Sequence, residues 1–126
     1  MTNVQAIGLL VIRIGLAGVL LWFGFQQLSD ASSWTGYVPE HVLSLSGLSA
    51  SLIVNANGAI EMACGLLLLL GIFTRAVSLV MGVHMALIAI SLGMNAVAVR
   101  DWGLAFAFLG LVLTGGGFFG FDKEAA

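Results

Sequence analysis

Four stretches of this chain, about residues 6–28, 51–73, 76–95 and 102–121, are each long and apolar enough to leave water for good. Crossing ~30 Å of hydrocarbon takes roughly 20 residues of α-helix at ~1.5 Å each, and all four windows reach that length. A spanning β-barrel would need ~10-residue segments of alternating polarity, which do not occur. Only 8% of the 126 residues are charged and 60% are hydrophobic, too few charges to coat a soluble fold of this size. The sequence predicts an all-α integral membrane protein, an antiparallel four-helix bundle forming one domain over residues 1–126.

The connections differ. Thr74 and Arg75 alone separate the second window from the third, which predicts a tight antiparallel hairpin, and "NAVAVRDW" (95–102) is a short third connection. The first loop is long and holds Trp34, Tyr37 and Pro39. Its "HVLSLSGLSASLI" end is weakly amphipathic and predicts a short interfacial helix. Trp22, Trp34 and Trp102 suit an aromatic belt at one membrane face. Arg75, Lys123 and Arg13 lie toward the side that holds both termini, against Arg100 alone on the other, so the positive-inside rule favours cytoplasmic termini. Gly58, Gly65 and Gly71 recur as Gly103, Gly110 and Gly116 at one constant offset, which suggests either two repeated hairpins or the ordinary abundance of glycine in membrane helices.

Hydrocarbon should reject Arg13, Glu61 and His84, each at a cost of a few kcal/mol unless it faces the bundle interior. Counted from the cytoplasmic ends of the windows, Arg13 lies roughly 10 Å in, His84 roughly 12 Å and Glu61 roughly 18 Å, and an extended arginine with modest tilts allows an Arg13–Glu61 pair with His84 nearby. Helical phase adds Gln27 on the first span, Asn57 on the second, and Ser91 and Asn95 on the third as lining residues. The fourth span offers a ridge of Gly103, Gly110, Thr114 and Gly117. The cluster admits two readings: a binding or proton-handling site, or an ion pair that fixes helix register.

Other classes fit poorly. A net charge of −2 offers no basic surface for nucleic acid. Cys64 is the single cysteine, expected as a packing residue, and His84 has no second histidine at metal-site spacing, so no metal site is expected. Phosphate-loop, dinucleotide and nucleophile-elbow signatures are missing, and Arg100 and Asp101 read as an interfacial anchor for the fourth helix.

Taken in order, "RIGLAGVLLWFGFQQLSDASSWTGYVP", "NGAIEMACGLLLLLGIFTRA" and "GGGFFGFDKE" resemble the DoxX family of small membrane proteins. The family's frequent lysine at the end of the first span is Gln27 here. The resemblance implies a four-helix bundle in a prokaryotic cytoplasmic membrane, often associated with oxidoreductases. It implies a quinone or lipid ligand in the bundle, with electrons supplied by a partner subunit because this chain has no redox cofactor of its own. A non-enzymatic scaffold or assembly factor is the alternative, and a homo-oligomer is compatible with either.

Overall fold

The computed structural model describes residues 1–122; Lys123 lies outside the described residues. Five α-helices run in the order α1 (Asn3–Ser29), α2 (Glu40–Ser46), α3 (Ala50–Leu70), α4 (Thr74–Leu92) and α5 (Ala96–Thr114). Two single 3-10 turns, Ala31–Ser33 and Thr35–Tyr37, fill the first loop. All but α2 are long and apolar enough to cross a membrane. They alternate in direction, so both termini and the α3–α4 turn share one end of the bundle, the terminal end. The first loop and the α4–α5 connection form the other, the loop end. Side chains such as Val11, Phe25, Leu87, Ile90, Phe106 and Leu113 are more than half exposed, as lipid-facing residues should be.

Local chemistry sets the helix boundaries. At the start of α1, Thr2 and Gln5 form a capping box, with the Thr2 hydroxyl accepting from Gln5 N at 3.1 Å and Gln5 Oε1 accepting from Thr2 N at 2.8 Å. Ser49 caps α3 by accepting from Leu52 N. The helix closes at Gly71, where a φ of 65° allows Gly71 N to reach Leu68 O and Ile72 N to reach Leu67 O. Thr74 and Arg75, expected as the turn itself, belong to the first turn of α4, and residues 71–73 make the bend.

The fourth span differs most from expectation: it begins at Ala96 and ends at Thr114, six or seven residues earlier than the 102–121 window. Asn95 caps it by accepting from Ala98 N at 2.9 Å, so "AVAVRDW" is helix rather than connection. The glycine-rich segment after Thr114 leaves the helix and folds across the terminal end.

The bundle is two close pairs, α1 with α3 and α4 with α5, which touch each other more lightly. Leu16, Leu20, Leu68, Met81, Met85, Phe108 and Leu111 join them in one apolar core. The closest approach in the first pair is a glycine notch. A Cβ on Gly24 would lie 2.8 Å from Met62 Cγ and 2.9 Å from Gly58 O; one on Gly58 would lie 3.0 Å from Gly24 O and 3.1 Å from Gln27 Cβ. Gly103 and Gly110, the supposed counterparts of Gly58 and Gly65 in α5, have nothing within 4 Å, while Gly116, matched with Gly71, lies past α5 against Arg13 and Thr74. The glycine spacing therefore marks no equivalent helix interface; of the expected ridge, Gly103, Gly110 and Thr114 face outward, while Gly117 lies past α5 and packs on α1 at Ala6, Leu9 and Leu10.

The notch predicts a sharp contrast. Gly24→Val should push α1 from α3 and destabilise the protein by about 1–3 kcal/mol, while Gly103→Ala should change stability by under about 0.5 kcal/mol. Thermal unfolding in detergent checks both; equal losses would contradict the notch.

Candidate functional site

The notch brings the last turn of α1 against the middle of α3, and polar side chains meet there. Gln27, Asn57 and Glu61 form a ring: Asn57 Nδ2 donates to Gln27 Oε1 at 2.7 Å and to Glu61 Oε1 at 3.1 Å, and Gln27 Nε2 donates to Glu61 Oε2 at 3.4 Å. His84 on α4 joins through Asn57 Oδ1. The direction of these bonds follows from chemistry. An ionised carboxylate only accepts, so with Glu61 charged the Asn57 amide turns its NH2 toward Glu61 and its carbonyl toward His84. His84 Nε2 therefore carries the hydrogen and donates. Glu61 and Gln27 are buried, while Asn57 and His84 are partly so.

Above the ring lies a cavity of about 170 Å³ at the loop end. Its floor is Gln27, Asn57, Glu61, Ser91 and Asp101, with the more exposed Arg100 at its rim; its walls are apolar, including Val42, Ile53, Val54, Ile88 and Val97. Trp34, Tyr37 and Pro39 from the first loop cover it. Trp34 packs edge-on to Phe23 at 5.7 Å and against Tyr37 at 5.5 Å, which ties the cover to α1. At the base of that loop, Ser33 and Ser32 hydroxyls bond the Asp30 carboxylate and hold its pKa below the usual value.

Arg100 and Asp101 are not a simple interfacial anchor. Asp101 is 1% exposed and shares the buried stripe of α5 with Ala98, Ala105 and Phe108. Its Oδ1 accepts from Arg100 Nε at 3.0 Å and Nη2 at 2.8 Å. The Arg100 guanidinium lies 4.6 Å from the Phe23 ring centre, a cation–π contact. The i, i+4, i+7 pattern of Asp101, Ala105 and Phe108 is the sequence signal that identifies this residue as inward-facing. Trp34 likewise serves as cover more than as belt.

Arg13 does not join Glu61, which corrects the expected ion pair. The guanidinium is buried at the terminal end and turns its Nη groups to backbone carbonyls: Nη1 to Gly116 O and Phe118 O, both at 3.1 Å, and Nη2 to Phe119 O at 2.7 Å. The reason is register. A Cβ on Gly71 would lie 3.0 Å from Arg13 Nη1, so Arg13 is level with the α3–α4 turn, and the first turns of α1 project past it. Gln27, which does reach Glu61, is fourteen residues further along α1, roughly 21 Å away.

The segment Arg13 grips also pairs with the turn, through Phe121 N to Leu70 O and Asp122 N to Gly71 O. Asp122 Oδ2 accepts from Thr74 N at 2.9 Å, capping α4, whose own N-cap Phe73 supplies no side-chain bond.

The lining residues on α4 divide as well. Ser91 is on the cavity wall and donates to Ile88 O. Asn95 is exposed and is used up as a cap, donating to Leu92 O while accepting from Ala98 N. Cys64 is half-buried against the core.

The sequence model of the DoxX family matches residues 8–94. No curated protein and no solved structure matches the chain. The matched stretch includes Arg13, Gln27, Asn57, Glu61, His84 and Ser91, and stops before Arg100, Asp101 and the Arg13-bound segment.

If the two ends are independent, Arg13→Gln should speed hydrogen exchange at the Phe121 and Asp122 amides at least tenfold while leaving exchange around Asn57 and Glu61 within twofold. Mass-spectrometric exchange in detergent would show it. Matched acceleration at both ends would mean that Arg13 supports the Glu61 ring after all.

Proposed function

The chain belongs to the DoxX family, and from that premise we propose that it is a ligand-binding accessory subunit of a membrane oxidoreductase system, taking a ring-headed lipid of the quinone class at its loop end. The observation that carries this reading is the cavity itself, whose floor is polar, whose walls are apolar and whose cover is aromatic. An apolar cavity of ~150 Å³ accepts a benzene ring, so about 170 Å³ suits a single ring. A ring with polar substituents would set them on Glu61, Asp101 and Gln27 and pack its faces between Ile53, Val54 and Ile88. A lipid tail would leave into the bilayer.

The surrounding argument is chemical. The chain supplies groups that bind and orient, and Glu61 could exchange a proton with a bound headgroup, but electrons would come from a partner subunit. Arg75 and Arg13 at the terminal end support cytoplasmic termini by the positive-inside rule, with the cavity then opening near the opposite face of a prokaryotic cytoplasmic membrane. A scaffold or assembly role is the alternative. It draws support from Glu61 already holding bonds from Gln27 and Asn57, as a purely structural carboxylate would.

Purification in mild detergent followed by mass spectrometry of co-extracted lipids separates the two readings. Quinone-class lipid should travel with the wild type and be lost from Val54→Trp, which fills the cavity. Saturable quenching of Trp34 by a benzoquinone with one isoprenoid unit, in its oxidised or reduced form, should vanish in the same variant. No such lipid and no saturable binding in either form would leave the scaffold.

A further inference from the structure

The hydrogen bonds already made around the cavity determine what kind of polar group is still needed there. Each carboxylate oxygen has two lone pairs. Glu61 Oε1 accepts one bond from Asn57 and Oε2 accepts one from Gln27, leaving a lone pair on each. Both Arg100 bonds go to Asp101 Oδ1, and Oδ2 accepts none among the described residues. The Ser91 hydroxyl has given its hydrogen to Ile88 O and presents only its oxygen.

The floor's donors are nearly exhausted by contrast. Both Asn57 amide hydrogens are committed, one to Gln27 and one to Glu61, and Gln27 retains one. Donor-bearing groups collect instead at the rim and cover, in Arg100, Trp34 and Tyr37.

We infer that the cavity is built for a headgroup that donates hydrogen bonds to the Glu61–Asp101 floor, a phenol or hydroquinone hydroxyl, in preference to one that can only accept, such as a quinone carbonyl. This rests on the reading that a ring-headed ligand enters here. With both carboxylates ionised, a carbonyl oxygen set on this floor would face their lone pairs and would leave those acceptors without a hydrogen. A hydroxyl supplies the missing hydrogen. A para-hydroquinone fits both ends, because one hydroxyl donates to the floor while the oxygen of the other accepts from the rim. The order of preference is therefore hydroquinone or phenol first, with the methyl-capped or carbonyl-bearing ring behind.

Three probes of similar size test this on the full-length protein in detergent: 4-methylphenol, its methyl ether 4-methylanisole, and acetophenone, which has only an acceptor. Ligand-observed NMR titration, with Val54→Trp protein as the control for micelle partitioning, should show 4-methylphenol binding at least tenfold tighter than the other two. Glu61→Gln places an N–H where an acceptor stood and should narrow the preference to under threefold, chiefly by improving acetophenone. A second variant, Asp101→Asn, should shift it in the same direction should Glu61→Gln fold poorly. Comparable binding of all three probes to the wild type would overturn the donor preference while leaving a ring-binding cavity. Absence of cavity-specific binding by any of them would overturn both.

Discussion

Hydrocarbon offers no hydrogen bonds, so every polar atom carried into a span must be met by another part of the same chain. Two of the costly groups in this chain, Arg13 and Glu61, are met by opposite kinds of partner. Arg13, which can only donate, receives carbonyl oxygens from a segment that has left its helix. Glu61, an acceptor, receives amide hydrogens from Gln27 and Asn57. Neither uses the other. The result is a bundle with a closed, backbone-filled terminal end and a loop end that is open enough to hold a cavity.

The two ends have different physical characters as a consequence. At the terminal end the charge on Arg13 is spread over carbonyls, and Asp122 is turned to the task of capping α4. At the loop end a second arginine, Arg100, is matched to Asp101 and stacked on Phe23, so charge there is paired but remains beside empty volume. Glycine makes the loop end possible. Without the close pass of Gly24 over Gly58, Gln27 would stand too far from α3 to complete the ring that positions Glu61.

Much of this was legible in the residues. Four spans followed from length and apolarity, and the short helix before the second span from its weak amphipathicity. The stripe Asn57, Gly58, Glu61 and Gly65 followed from the helical period, and Gln27 from its phase with Gly24. The Arg13 pairing was not legible, because window ends are poor rulers: α1 begins well below the α3–α4 turn, and only tertiary register reveals it. The start of α5 was hidden by its charges, since Arg100 and Asp101 look like a membrane boundary until each is seen to neutralise the other. The aromatic cover depends on contacts between a loop and residues far along the chain, which no local pattern carries.

The central claim is that Glu61 is held by Asn57 and not by Arg13. A double-mutant cycle measures this, pairing Glu61→Gln first with Asn57→Ala and then with Arg13→Gln and reading unfolding free energy in detergent. The account predicts a coupling of about 1 kcal/mol or more for Glu61 with Asn57, and under about 0.3 kcal/mol for Glu61 with Arg13. An Arg13 coupling as large as that of Asn57 would contradict it.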